Sequence, residues 1–446
     1  MCVPILGYLP FLSSEPYREL HQMALKYGGI FGVSIGRTYT VFLGNYASLK
    51  EALGKSTLSN KPESSFDFIP DGIGFSSING EAWSEQRRYS MRAMRNVGLG
   101  RDTWEAILQA EVSDFVDLVS RQEGRPFDPT LLLTVSISRN ISALLFGRRL
   151  ALDDEQADLF ADAVHAASQF APQIGARSAF PRLMDALARI GLLEKKAVNL
   201  DKLADFNKFV RKEVEERRKQ KVEVNEDDFI EGNKFPLFLA EINLHGNIQA
   251  LFIGASDTTR TSLSWLLLAV AAHQGAQRKV QEEADREGGA GLTWAGRGRY
   301  PVAMATIMEG QRWRTVSPFN AGRIAMEDMK LGGYDIRKGT IIVANFWSSH
   351  NDTNYWKDPE EFRPERFLSE DRTQVNLKPE SYAPFSYGKR NCPGETVAMM
   401  EILFYFVSIM KKFSVLPPEG QKLNLKGTLG LTYQPVPQEL RFVPRT

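Results

Sequence analysis

The stretch Phe385-Ser-Tyr-Gly-Lys-Arg-Asn-Cys-Pro-Gly394 decides how this sequence is interpreted, because it surrounds a cysteine with residues suited to metal binding. Cys392 is one of only two cysteines in the chain. Gly388 and Gly394 allow the backbone to turn sharply where side chains would collide with a flat partner. The residues after Gly394 are predicted to be helical to about residue 412, and a helix N-terminus stabilises a thiolate through its dipole and free N–H groups. The stretch therefore predicts a thiolate that is aimed at a metal.

The composition is that of an ordinary globular protein. The chain has 446 residues, of which 43% are hydrophobic and 24% are charged. A net charge of +1 gives no reason to expect a nucleic-acid partner, and two cysteines exclude a disulfide scaffold. No apolar run reaches the roughly 18 to 20 residues that are needed to span a bilayer. A large buried core is therefore expected, and composition adds nothing about a partner.

The hydrophobic periodicity predicts a mainly α fold with a small β region in one compact unit. Alternation predicts two strands, 31–35 and 38–43, around a turn at Gly36-Arg37. A second pair of strands is predicted within 331–343, around a turn at Lys338-Gly339. Helical spacing predicts helices over 16–27, 47–53, most of 81–221, 247–270 and 274–286.

The F-x-x-G-x-R-x-C-x-G spacing of residues 385–394 resembles the haem-binding loop of the cytochrome P-450 family, and of its microsomal, drug-metabolising animal type in particular. The alternative is a buried structural cysteine. The resemblance runs in order from about residue 4 to residue 443. It implies a cytochrome P-450 fold, with residues 1–446 as a single domain and Cys392 as the iron ligand of haem b. It also implies that residues 1–15 are the remnant of a Pro-rich hinge whose membrane anchor is absent.

Glu309 and Arg312 form an acid–base pair on one face of a predicted helix. Such a pair on a surface contributes little to stability. Together with the downstream stretch Phe362-Arg-Pro-Glu-Arg-Phe367, the pair resembles the family's E-x-x-R motif and its P-E-R-F partner. The resemblance implies a buried charge network of Glu309, Arg312 and Arg366, with a structural role behind the cysteine loop.

The segment Gly254-Ala-Ser-Asp-Thr-Thr259 interrupts a helix with small and polar residues. The Thr258 hydroxyl can bond to the carbonyl of Gly254, four residues earlier, and so bend the helix. A kink without chemistry is one interpretation. The segment also resembles the family's A-G-x-[DE]-T-[TS] motif, although its first two residues are reversed as Gly254-Ala255. The resemblance implies that Asp257 and Thr258 deliver protons, and that the Ala255 methyl group narrows the oxygen groove.

Trp83 and Arg87 place an indole donor and a guanidinium on one helix face, where they are suited to a carboxylate. The alternative is that Trp83 packs in the core and Arg87 lies on the surface. The resemblance implies that this pair binds a haem propionate together with Arg323 and Arg390. The expected cofactor-binding residues are Trp83, Arg87, Arg323, Phe385, Gly388, Arg390 and Gly394.

The resemblance also implies where substrate and electron donor bind. The substrate walls are expected from the 66–80 loop, from 429–433, and from Phe252, Ile253, Gly254, Ser317, Phe319, Asn320 and Ala321. Most of these positions are apolar or small, which favours a lipophilic ligand. A cationic face formed by Arg88, Arg92, Arg95, Arg101 and Lys389 would steer an acidic electron donor, although a plain solvated face is the alternative.

The sequence as a whole predicts a haem-thiolate monooxygenase that inserts one oxygen atom from O2 into a lipophilic small molecule. By resemblance, its electrons come from an NADPH-dependent cytochrome reductase, with cytochrome b5 as a further donor, at the cytosolic face of the endoplasmic reticulum membrane. The alternatives are an oxygen-independent isomerase or dehydratase of lipid peroxides, and a haem-binding protein without turnover. Two stretches, 231–243 and 288–299, look short against the family pattern.

Overall fold

The computed structural model describes residue 3 and residues 5–62, 74–96, 102–146, 157–168, 200–219, 237–287 and 291–445. Helices dominate these residues, as the periodicity predicted. In chain order they are α1 Pro16–Tyr27, α2 Tyr46–Gly54, α3 Gly80–Asn96, α4 Asp102–Ser120, α5 Thr130–Phe146, α6 157–168, α7 Leu200–Lys219, α8 Leu237–Ala272, α9 Gln274–Arg286, α10 Pro301–Trp313, α11 Phe346–His350 and α12 Glu395–Lys412.

The strands are short. They are β1 Ile30–Ile35, β2 Thr38–Leu43, β3 Arg323–Ile324, β4 Met329–Leu331, β5 Tyr334–Ile336, β6 Ile341–Ala344, β7 Phe413–Leu416, β8 Gly427–Leu429, β9 Tyr433–Pro435 and β10 Arg441–Pro444. The largest sheet has the order β1-β2-β6-β3, and the remaining strands form antiparallel pairs. The chain is thus mainly α with a small β region, which confirms the predicted fold class.

The predicted hairpin at Gly36-Arg37 is present, with β1 and β2 antiparallel and Ile35 opposite Thr38. The turn predicted at Lys338-Gly339 is present too, between the short strands β5 and β6. These two strands belong to different sheets. Strand β5 pairs with β4 around a turn at Gly332-Gly333, whereas β6 pairs parallel with β2 and antiparallel with β3.

Helix α8 runs through the middle of the fold. It packs against α5, α7, α9, α10 and α12 and against strands β7 and β9. Its side chains are buried on most sides, which is expected for a helix that other helices surround. One apolar cluster extends from Tyr17 in α1 to Phe442 in β10. This packing fixes α8, which carries five of the predicted site residues, and α12, which directly follows the cysteine loop.

Several expectations fall outside the described residues. They concern residues 66–73 of the predicted wall loop, residues 231–236 and 288–290 of the two short stretches, and Arg101. The single-domain organisation stays a prediction. Among the described residues, no helix combines the length and the apolar character that a membrane crossing requires.

Helix α12 buries a carboxyl group, Glu401, whose side chain has no exposed surface. Burial raises the pKa of Glu401 to about 8, and the side chains of Asn140 and Thr259, which face the carboxyl, offset part of this rise. The folded protein therefore holds this proton more tightly than the unfolded chain does. The resulting stabilisation is complete below the unfolded pKa of the group and is lost as the pH rises through about 8.

Glu401→Gln should remove this pH dependence. Between about pH 5 and about pH 8, the natural protein should lose up to roughly 1.4 kcal/mol of unfolding free energy per pH unit relative to the variant. Chemical unfolding of both proteins over that range measures the difference. Parallel stability curves for the two proteins would show that Glu401 does not hold a proton in the folded state.

Candidate functional site

The cysteine loop is closed by its own backbone. The amide of Cys392 donates to the carbonyl of Phe385 at 2.8 Å, and the amide of Asn391 donates to the carbonyl of Gly388 at 3.1 Å. Gly388 has φ +72°, and a Cβ there would lie 1.8 Å from the carbonyl oxygen of Leu53. Only glycine fits this contact, which holds the loop against the end of α2. Gly394 then caps α12, so the sulfur lies at a helix N-terminus as predicted.

Two effects act in opposite directions on the Cys392 thiol. Burial raises its pKa, and the carboxylate of Glu395 adds to the rise. The N–H of Gly394 and the positive charge of Arg87 lower it. Burial is the largest effect, so the helix N-terminus alone does not make this sulfur an anion. A positive partner such as a metal ion would supply the missing stabilisation.

Arg390, two residues before the cysteine, extends away from the loop into the N-terminal part of the chain. Its guanidinium donates to the carbonyls of Ser59 at 2.7 Å, Phe75 at 3.1 Å and Ile78 at 2.7 Å. It also lies 3.8 Å from the ring centroid of Trp83, in cation–π geometry. Arg390 therefore fixes the cysteine loop to the segment that leads into α3.

Three further cations surround Arg390. Arg87 donates to the backbone and side-chain oxygens of Asn391 at 2.8 and 2.7 Å, and Arg323 donates to the carbonyl of Gly322 at 2.7 Å. The ammonium of Lys61 donates to the carbonyl of Ser76 at 2.7 Å. The acceptors in these contacts are all neutral oxygens. We call Lys61, Arg87, Arg323 and Arg390 the cation cradle.

The pKa values of the cradle show how concentrated its charge is. Burial and the charges of Arg323 and Arg87 lower the pKa of Arg390 to about 9. Burial and Arg87 lower that of Arg323 to about 10. Burial and the three arginines hold the pKa of Lys61 well below its usual range. A bound anion would relieve this repulsion.

Trp83 supplies an independent sign of a missing acceptor. Its indole Nε1 is buried and has no hydrogen-bond partner among the described residues. Buried donors normally have a partner, so this one suggests a ligand that accepts a hydrogen bond. An unpaired donor beside a cation cradle and a loop cysteine fits a flat metal macrocycle with carboxylate arms. Haem, with its two propionates, has this chemistry.

Helix α8 passes through Gly254 to Thr259 without a break. The Thr258 hydroxyl donates to the Gly254 carbonyl at 2.7 Å, which is the bond expected from the sequence. Gly254, Ala255 and Thr258 keep accessible surface on a stretch that is otherwise buried, and a Cβ at Gly254 would meet no atom within 4 Å. This accessible stripe has room for a small molecule.

Asp257 lies on a different side of α8 from the stripe. Its Oδ1 accepts from Ser168 and from Arg260, each at 2.6 Å, and its Oδ2 accepts from Thr432 at 2.7 Å. Asp257 and Thr258, the predicted acid and alcohol, are therefore adjacent in sequence, but their side chains bond to different partners. Their role in proton delivery stays a prediction.

The structure brings Glu309, Arg312 and Arg366 together. Arg312 forms two hydrogen bonds with the Glu309 carboxylate, at 2.7 and 2.9 Å, and Arg366 contacts the same carboxylate at 3.1 Å. Glu309 and Arg312 have no exposed side-chain surface. Arg312 also donates to the carbonyl of His350 at 2.8 Å, which ties α10 to α11.

The predicted substrate residues have different surroundings. Phe252 is fully buried and packs on Phe160 and Phe206, with ring centroids 4.8 and 4.7 Å apart, and Ile253 is buried too. Asn320 Oδ1 accepts from the Ala344 amide at 3.0 Å. Only partial accessibility remains at Ser317, Phe319, Asn320 and Ala321, while Gly254 is exposed. Their contact with substrate stays a prediction.

The predicted cationic face is exposed over its described part. Arg88, Arg92 and Arg95 lie on one side of α3 and are exposed, and Lys389 is exposed in the cysteine loop. The arrangement is compatible with steering of an acidic protein.

Sequence reasoning missed two residues of the site. Lys61 belongs to the cation cradle, but a single Lys before a proline gives no signal on its own. Arg260 had a signal, because it stands three residues after Asp257, the same spacing that singled out Glu309 and Arg312.

A half-buried cysteine at a helix start, beside a cation cradle suited to carboxylates and an accessible stripe on the neighbouring helix, is the arrangement expected of a haem-thiolate protein. The family model of cytochrome P450 matches residues 2–442. Human cytochrome P450 2J2 is 32% identical over 465 residues, covering 98% of this chain and 90% of the relative. Cytochrome P450 2D9 of Mus musculus is 31% identical, covering 99% and 91%. Cytochrome P450 18a1 of Drosophila melanogaster is 27% identical, covering 97% and 84%.

The chain therefore belongs to the cytochrome P450 family. It is an oxidoreductase, a haem-thiolate monooxygenase with haem b as its prosthetic group. The residues of the cradle and the cysteine loop fit that group.

Gly388→Ala should prevent the cysteine loop from closing, because the added Cβ would lie 1.8 Å from the Leu53 carbonyl. The variant should retain much less haem per chain than the natural protein, measured as the haem-to-protein absorbance ratio after purification. Gly298→Ala is the control, since a Cβ there meets no atom within 4 Å. Equal haem content in both variants would contradict the importance of this contact.

Arg312→Met should leave the Glu309 carboxylate buried without its main partner, at a cost of about 3–5 kcal/mol in unfolding free energy. The control is Arg363→Met, because Arg363 forms only a partly exposed pair with Asp358 at 3.9 Å. That change should cost about 1 kcal/mol or less. Chemical unfolding of the variants measures both values, and similar losses would show that burial does not strengthen the Glu309 network.

Proposed function

We propose that this monooxygenase oxidises lipophilic small molecules with Cys392 as the iron ligand. The observation that carries the proposal is the cation cradle beside the Trp83 indole, which has no hydrogen-bond partner within the described part of the chain. Both lie next to a cysteine at a helix start. When bound to a thiolate, haem activates O2 and transfers one oxygen atom to a substrate. The protein residues hold the group, orient the substrate and supply protons.

Within this proposal, Trp83, Arg87, Arg323 and Arg390 hold the propionates, and Lys61 adds a further cation. Phe385, Gly388 and Gly394 shape the loop that presents the sulfur. Glu309, Arg312 and Arg366 keep α10 in place behind it. The proposal thus separates residues that bind the group from residues that support the loop.

Proton delivery is assigned to Asp257 and Thr258. Thr258 lies on the accessible stripe of α8, where its hydroxyl is ordered by the Gly254 carbonyl. Asp257 is the carboxylate next to it in sequence. The substrate is expected above the stripe, bounded by the predicted walls at 252–254, 317–321 and 429–433.

The electrons are proposed to come from an NADPH-dependent cytochrome reductase, with cytochrome b5 as a second donor. The exposed arginines of α3 and Lys389 support an acidic partner on that side. The expected location is the cytosolic face of the endoplasmic reticulum membrane, where lipophilic substrates accumulate.

The carbon monoxide difference spectrum of the reduced protein tests the central assignment. The natural protein should show the red-shifted band of a thiolate-ligated haem, and Cys392→His should lose that band while still binding haem. A band unchanged in the variant would falsify the assignment of Cys392.

Electron dependence separates the monooxygenase from a lipid-peroxide isomerase. Product should form only with NADPH and reductase present, and hydroperoxide turnover without either would favour the isomerase. The control is the Cys392→His variant under the same conditions.

A further inference from the structure

Asp257 is the centre of a buried group of four side chains that we call the Asp257 clamp. The other members are Arg260, Ser168 and Thr432. Asp257 and its neighbour Ser256 have no exposed surface, and Arg260 keeps only 6% of its own. Every bond to the carboxylate is 2.7 Å or shorter, which is the range of charge-assisted hydrogen bonds.

The clamp joins three parts of the chain that are distant in sequence. Ser168 is at the end of the described part of α6, Asp257 and Arg260 are on α8, and Thr432 is in the turn between β8 and β9. The backbone reinforces the contact, because the amide of Leu431 donates to the carbonyl of Ser168 at 3.0 Å. The position of Asp257 is therefore set by its surroundings on two sides of α8.

Arg260 is the cationic member of the clamp. A buried carboxylate needs a counter-charge, and Ser168 and Thr432 are neutral donors that cannot supply one. The guanidinium also donates to the Thr261 hydroxyl at 3.1 Å, and that hydroxyl lies 3.3 Å from the one of Thr432. Arg260 thus compensates the charge and fixes the direction in which Asp257 extends.

Asp257 and Thr258 are separated by about 100° around the helix axis, because an α-helix has 3.6 residues per turn. Thr258 faces the accessible stripe, and Asp257 extends towards Ser168 and Thr432. A proton that passes through both residues therefore depends on where the clamp holds Asp257.

We propose that Arg260 is a positioning residue that holds Asp257 at the junction of α6, α8 and the β8–β9 turn, and through Asp257 sets how efficiently protons reach the site. Arg260 touches neither substrate nor haem in this assignment. The proposal rests on the proposed function in one respect, the role of Asp257 in proton delivery.

The first test is a double-mutant cycle on coupling, the share of NADPH electrons that ends in product rather than in hydrogen peroxide. Asp257→Asn and Arg260→Gln should each increase the peroxide share severalfold, and the double variant should match Asp257→Asn alone, because Arg260 acts through Asp257. Arg260→Lys should restore most of the coupling. The proposal would be overturned if the peroxide share of the double variant rose by the product of the two single effects. It would also be overturned if Arg260→Gln coupled NADPH use to product as well as the natural protein does.

A matched control removes a buried arginine of another ion pair. Arg139 contacts Glu111 at 3.1 Å, and both side chains are at most 8% exposed. Arg139→Gln should lower stability without increasing the peroxide share, measured on folded, haem-loaded protein. If its peroxide share rose as much as that of Arg260→Gln, the effect would come from lost stability, and the positioning role of Arg260 would be contradicted.

The second test needs no turnover. Amide hydrogen exchange of the full chain should be about tenfold faster at Leu431 and its neighbours in Arg260→Gln, because the clamp holds the turn against α6. Arg260→Lys should exchange like the natural protein. Unchanged exchange in Arg260→Gln would overturn the role of Arg260, even if the carbon monoxide spectrum shows a thiolate ligand. Absence of the thiolate band in the natural protein would instead contradict only the proposed function.

Discussion

The site is organised around a concentration of buried positive charge. Lys61, Arg87, Arg323 and Arg390 come from four separate segments, and burial lowers the pKa values of all four. Repulsion from other members adds to this effect at Lys61, Arg323 and Arg390. The fold tolerates this because their donors bond to backbone and amide oxygens, which satisfy hydrogen bonds without neutralising charge. A ligand with two carboxylates would compensate this charge, and its binding is therefore expected to stabilise the folded protein.

Elsewhere, the protein pairs its buried charges internally. The buried acid–arginine pairs among the described residues include Glu309 with Arg312, Asp257 with Arg260, and Glu111 with Arg139. The first two pairs each lie within one helix, and the third joins α4 to α5. Buried pairs of this kind add little net stability compared with apolar packing, but breaking one is costly. Their value lies in geometry, since each carboxylate has room for only one arrangement of donors.

Most of the fold could be predicted because the local spacing of apolar residues determines most of its helices and strands. The 274–286 helix and the Gly36-Arg37 hairpin follow from spacing and turn chemistry that act within a few residues. The turn at Lys338-Gly339 follows from local chemistry as well. The pairing of β6 with β2 could not be predicted, since β2 lies about 300 residues earlier in the chain.

In the site, too, residues in short sequence motifs could be predicted, whereas residues with distant partners could not. The cysteine loop and the Glu309–Arg312 pair are visible as short motifs, and the structure gives them the expected surroundings. Lys61, Ser168 and Thr432 could not be predicted as site residues, because their roles depend on residues that are distant in sequence. At the Cys392 thiol the Gly394 N–H lowers the pKa as expected, while burial, which the motif does not show, raises it.

The long reach of Arg390 has a consequence for how the protein is made. Its partners Ser59, Phe75 and Ile78 precede Arg390 by more than 300 residues and are therefore synthesised much earlier. The N-terminal part of the pocket is therefore synthesised well before the part that contains the sulfur. Because haem binding through the thiolate requires Cys392, it is expected late in biosynthesis.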